Sequence, residues 1–216
     1  MSVALDHLVV AAPSLAQGVQ WCEAVLGITP GPGGKHPLMG THNRLFSIGS
    51  EAFAQAFFEI IAIDPDAAPP GRARWFGLDA IDLGTGPRLL HWVARTRTLD
   101  LRCAALRAAG FDPGPAIAAS RDTPQGRLQW RISVRDDGTL LAGGALPTLI
   151  DWGHTPHPSA SMAACGVTLR GLRLRGVPAA AAQALDARAV EFAADGGPAL
   201  TATLGTPRGS LILRSH

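Results

Sequence analysis

The chain is poor in several residue types, and each shortage removes a class of function. Its 216 residues hold three cysteines, Cys22, Cys103 and Cys165, too few and too far apart for a disulfide framework or a zinc knuckle. An odd count fits reduced thiols in a cytosol. No apolar run approaches the roughly 18 residues that a membrane-spanning helix needs. The N-terminus lacks the basic start and apolar region of a secretory signal. Lysine occurs only as Lys35, and the arginines are scattered along a chain of formal net charge +2, so no basic stripe tracks a phosphate backbone. A cytoplasmic protein with no nucleic-acid partner and no membrane partner is expected. Phosphate-binding GxxxxGK[ST], strand-linked GxGxxG, the GxSxG elbow, HExxH and CxxC are all missing, so nucleophilic catalysis by serine or cysteine has no supporting constellation.

What is present repeats. Apolar residues make up 47% of the chain, ample for a core, and residues 5–32 resemble residues 89–115. Leu5 and His7 match Leu89 and His91, Ser14-Leu15 matches Thr98-Leu99, Gly27 matches Gly110, and Pro30-Gly31-Pro32 matches Pro113-Gly114-Pro115. Each copy reads as a short strand, then a helix capped by Ser14 or Thr98 and closed by a glycine at positive φ. Strand material follows at 43–48 and 56–63 in the first copy. In the second it follows at 127–134 and 148–152, with Arg121 ahead of a Pro124-Gln125-Gly126 turn. A shorter third copy comprises a strand at 167–174, a helix at 179–185 and three further strands. Its TPRGSLIL echoes TPQGRLQW of the second copy. The expected class is α+β: paired βαβββ modules at 1–65 and 88–160 forming curled mixed sheets around a cleft, joined by a linker at 66–87, with a degenerate third module at 161–216.

A βαβββ unit repeated in one chain and opening with a strand histidine resembles the vicinal oxygen chelate superfamily. Through GKHPLMGTHNRLFSIG, FFEIIAIDP, SRDTPQGRLQWR and LPTLIDWGHTPHPS it resembles that superfamily's glyoxalase-like domain proteins. The resemblance implies metal ligands on the first and last strands of the paired modules: His7 and His91, with Glu59 and Asp151. Imidazoles and carboxylates together suit a divalent first-row cation, and one displaceable carboxylate, Glu59 or Asp151, would serve as catalytic base. Glu59 stands in an apolar row and needs a cation, a hydrogen-bond partner or a raised pKa, an ion pair with an arginine being the alternative.

His42 and Asn43, the sole asparagine, lie in a glycine-punctuated loop and are candidates for substrate binding, as are Arg121 as an anion clamp and Trp130 as a cleft wall. Local turn chemistry, solvated charge and core packing are the competing readings. His154 and His157 read as exposed loop residues. Strand alternation places Leu5 and Val9 on the face of His7 and leaves Asp6 pointing away without a partner. Two functions stay open: a metal-assisted lyase or isomerase, less readily a dioxygenase, acting on a small oxygen-bearing substrate, or a non-catalytic protein sequestering a small molecule. Monomer and homodimer are both compatible with the pattern.

Overall fold

The computed structural model describes residues 2–123 and 126–215, so the expected Pro124-Gln125 turn lies outside the described residues. Strand β1 (Ala4–Ala11) is apolar at most positions and buried along all but its first residue, as a strand covered on both faces must be. The Ser14 hydroxyl accepts from Gln17 N at 3.2 Å and opens α1 (Leu15–Trp21). A wider-wound turn, Cys22–Leu26, continues the helix and ends at Gly27 with φ 75°. β2 (Lys35–His36), β3 (Thr41–Ser47) and β4 (Phe57–Ile63) complete the first unit.

The second unit runs β5 (Arg88–Arg95), α2 (Leu99–Ala108), β6 (Ala116–Thr123), β7 (Gly126–Ser133) and β8 (Thr148–Asp151). Thr98 does not cap α2 as expected: its hydroxyl lies 3.1 Å from that of Thr96 and makes no cap bond. The alternation rule does not mark β6, AIAASRDT, because its half-exposed residues carry little hydrophobic contrast.

All eight strands join one curled sheet in the order β2-β3-β4-β1-β5-β8-β7-β6. β1 runs parallel to β4 and antiparallel to β5, and β5 runs parallel to β8. At the seam Leu8 faces Trp92, His7 faces Val93 and Val9 faces His91, so the repeat becomes a local two-fold axis between β1 and β5.

Apolar side chains divide between the two faces. Leu8, Val10, Phe58, Ile60, Trp92 and Leu149 join the helices in one core, while Val9, Ile61, Val93, Trp130, Ile132 and Ile150 form a second core on the cleft side. The linker contributes to the second core through a single turn, Trp75–Gly77, which buries Trp75 and Phe76.

The last segment holds β9 (Thr168–Arg175), α3 (Ala179–Leu185), β10 (Val190–Ala193), β11 (Leu200–Thr206) and β12 (Gly209–Arg214). The element order βαβββ recurs, but the pairing differs. The first two units place their opening strand beside their last one, whereas β9 lies between β10 and β11 in a separate four-stranded sheet. The TPxG echo is real at the hairpin: Thr123 Oγ1 donates to Gly126 O at 2.7 Å and Thr206 Oγ1 to Gly209 O at 2.9 Å. No helix among the described residues is long and apolar enough to cross a membrane.

Candidate functional site

Near its start β1 breaks alternation. Leu5 pairs with Ala94 and His7 with Val93, so Asp6 is an extra residue, a β-bulge. Leu5 therefore belongs to the helix-side core instead of sharing the face of His7, while Val9 packs in the cleft-side core as expected. The Asp6 carboxylate lies fully buried beside His7. Its Oδ1 accepts from His7 Nδ1 at 2.7 Å, and its Oδ2 accepts from Trp152 Nε1 at 2.9 Å and His157 Nε2 at 3.0 Å. His157, expected to be exposed, is thus drawn inward by a buried acceptor that needs a donor.

On the other side of the imidazole, His7 Nε2 lies 3.4 Å from Glu59 Oε2. A ring held between two carboxylates must donate from both nitrogens, which makes it imidazolium. Burial alone would depress His7, but the bonds to Asp6 and Glu59 outweigh it and raise its pKa to about 9. Burial likewise pushes the Glu59 and Asp6 carboxyls up. His7 and Asn43 hold Glu59 below the usual carboxylate range, and His157 and His7 hold Asp6 far below it.

Asn43 is the pivot. Its Nδ2 donates to Glu59 Oε1 at 2.6 Å, and its Oδ1 accepts from Gly34 N at 2.9 Å and Arg121 Nη1 at 3.3 Å. Gly33 makes the fit possible, since a Cβ there would come within 2.0 Å of Asn43 O. His36 completes this wall with Nδ1 3.1 Å from Thr41 Oγ1 and its ring edge-on to Trp75 at 5.1 Å between centroids. Burial pushes His36 down to about 4, so it is neutral at pH 7. His7, His36, Asn43, Glu59, Arg121 and several aromatic rings enclose a cavity of about 40 Å³.

The other expected ligands do not reach it. His91 is fully committed elsewhere: Nδ1 donates to Gly144 O at 3.0 Å, and Nε2 accepts from Thr148 N at 3.0 Å with Thr148 Oγ1 at 3.1 Å. Burial depresses it to about 3, and no lone pair is left for a cation. Asp151 lies outside this cavity, one residue past Ile150 of the cleft-side core, and its Oδ1 accepts from Gly153 N at 2.9 Å. The register explains this placement. Glu59 sits beside Val9, and under the two-fold Val9 corresponds to Val93, whose β8 neighbour is Thr148. The second unit thus carries a threonine where the first carries a glutamate.

Among the described residues no three His, Cys, Asp or Glu side chains converge as metal ligands, and the four-residue set does not fit a shared cation. His42 is also displaced: it points off the opposite face of β3 from Asn43, 3.8 Å from Asp64, where burial lowers its pKa. Trp130 does line the cavity, 5.4 Å from Trp152 between centroids, and Arg131 pairs with Asp100 on α2 at 2.8 Å. Asp6, His157 and Trp75 are the members that sequence reasoning missed. The Asp-His pair in LDHL and the second histidine of WGHTPHP were their only signals.

Two βαβββ units sharing one curled sheet, with a histidine and a carboxylate facing each other across parallel first and last strands, define a vicinal oxygen chelate protein. A family model described as a glyoxalase-like domain matches residues 5–190, and the chain belongs to that family. Among solved structures it is similar to a hypothetical protein from Staphylococcus aureus, with TM-score 0.61 and 12% identity over 99% of this chain and 86% of that one. Methylmalonyl-CoA epimerase from Mycobacterium tuberculosis shares 20% identity over 73% of this chain and 91% of its own, with TM-score 0.42. No curated protein matches the chain by sequence.

Proposed function

We propose that the protein is a small-molecule enzyme of the isomerase or lyase kind, in which Glu59 and His7 move a proton on an oxygen-bearing substrate held by Arg121, with Asn43 fixing Arg121 and Glu59 relative to each other. The observation that carries this reading is Glu59 itself, a carboxylate 5% exposed on an apolar strand, hydrogen-bonded to Asn43 at one oxygen, ion-paired with His7 at the other, and facing a cavity. Such a group is costly to bury and has no packing role that an apolar residue could not fill. In the step, a C–H bond next to a carbonyl breaks, the proton passes to a Glu59 oxygen, and the electron pair moves onto the substrate oxygen, where the Arg121 guanidinium meets the charge. Glu59 then returns the proton to the same carbon or to its neighbour, or the electron pair moves back from the oxygen and expels a leaving group from the next carbon. No step is routed through a metal, because His91 and Asp151 do not join His7 and Glu59.

The low pKa of Glu59 favours a second reading, a protein that binds such a compound without turning it over, since a carboxylate beside an imidazolium is a weak base. Proton exchange separates the two. In deuterium oxide with a chelator present, a panel of small 2-oxo acids and thioesters followed by NMR should show catalysed exchange at the carbon next to the carbonyl. Glu59→Gln should slow that exchange about 100-fold or more. Binding without exchange in the unaltered protein would establish the second reading.

A further inference from the structure

We infer that the groove outside the cavity receives the aromatic tail of a small carboxylic acid whose carboxylate docks on Arg121; this rests on Glu59 facing the reacting carbon. The cavity holds about 40 Å³, whereas the groove it opens into holds about 1260 Å³, so most of any substrate larger than a few atoms must lie in the groove. Arg121, Trp130 and Trp152 line both spaces and mark the junction.

Arg121 is built in. A Cβ on Gly34 would come within 2.5 Å of its Nη1, so the glycine makes room for the guanidinium. Among the described residues its one hydrogen bond goes to Asn43, and it has no ion pair. Its other N–H donors form the planar fork that matches a carboxylate. The neighbouring cations are already engaged: Lys35 with Asp64 at 2.9 Å and Arg131 with Asp100 at 2.8 Å, while Arg127 bonds Ser120 Oγ at the exposed end of the hairpin.

Asn43 sets the distance, because its amide oxygen accepts from Arg121 while its amide nitrogen donates to Glu59. The Arg121 guanidinium and the Glu59 carboxylate therefore stand at the two ends of one amide group, close enough for one small substrate to reach both. Beyond Arg121 the apolar part of the groove lining is the tilted pair of Trp130 and Trp152 with Pro37 and Leu38, the last 44% exposed to water, set among polar residues such as Asp122, Gln129 and His154. A flat apolar tail fits that wall.

Calorimetry and tryptophan fluorescence with acetate, phenylacetate, 3-phenylpropanoate and 2-phenylethanol test the inference on the full chain. At least one aryl acid should bind about tenfold or more tighter than both acetate and the uncharged alcohol. Arg121→Gln should remove that advantage, Arg127→Gln should leave it within about threefold, and Trp130→Leu should reduce the aryl acids to the level of acetate. If Arg121→Gln fails to fold, the acid-against-alcohol comparison in the unaltered protein and Arg121→Lys carry the same information. No aryl-acid binding at 10 mM, equal binding of acid and alcohol, or loss at Arg127 instead of Arg121 overturns the inference. In the unaltered protein, tight aryl-acid binding without proton exchange refutes the enzyme and leaves the groove assignment standing. Exchange with no aryl preference does the reverse.

Discussion

Single residues set the protein's response to pH, through histidines that the same sheet treats in opposite ways. His7 lies between Asp6 and Glu59 and has its pKa raised to about 9, whereas burial lowers His36 to about 4 and His91 to about 3. A histidine raised above its unfolded value of 6.5 stabilises the fold below that pH, and the contribution is lost as pH rises toward 9. Histidines depressed below 6.5 stabilise above that pH, and their contribution is lost on acidification toward 4 and 3, at about 1.4 kcal/mol per pH unit for each. Below pH 4 the depressed carboxyls Asp6 and Glu59 add to the loss. Stability from urea titrations should therefore peak near pH 6.5 and fall on both sides, and Asp6→Asn should flatten the alkaline limb. A plateau from pH 6.5 to 9 in the unaltered protein would refute the charged assignment of His7.

At the scale of elements, the repeat is legible and its asymmetries are the informative part. Gly18 in α1 and Arg102 in α2 occupy corresponding positions and do opposite things. A Cβ on Gly18 would meet Ile60 Cγ2 at 2.4 Å, so α1 lies directly on β4, whereas Arg102 Nη1 reaches Ala184 O at 2.8 Å and ties α2 to α3. Gly18→Ala would gain about 1 kcal/mol in an isolated helix. Here the overpacking should dominate and destabilise by about 1–3 kcal/mol, seen as a lower urea midpoint at unchanged slope. The same limits govern what could be read of the site. His7, Glu59, Asn43 and Arg121 stood out as polar groups in apolar or glycine-rich surroundings, and the structure brings all four to one cavity. Asp151 and His42 stood out by residue type alone, and strand parity and register, which no single strand encodes, send them elsewhere. The bulge that turns Asp6 inward and the linker turn that inserts Trp75 are consequences of pairing across the sheet.

For the whole molecule, the question is whether the third segment is an appendage or part of the fold. One continuous core answers it: Leu172, Leu174, Leu200 and Leu204 of the small sheet belong to one cluster with Trp92 of the large sheet, Leu99 and Leu106 of α2, and Leu146 just ahead of β8. Backbone bonds cross the boundary, with Leu169 N donating to Ile48 O at 2.8 Å and Arg188 N to Val3 O at 3.0 Å. Two cysteines report on this core. Burial pushes the Cys22 thiol up to about 12 and the Cys103 thiol to about 11, so neither reacts while the fold is closed. If the two sheets share one core, Leu172→Ala should cost about 2–5 kcal/mol and shift a single unfolding transition. It should also speed labelling of Cys22 and Cys103 by the same factor, although Leu172 lies in the last sheet. Two resolved transitions, or labelling at Cys103 that stays slow while the small sheet melts, would show instead that the paired units fold without it.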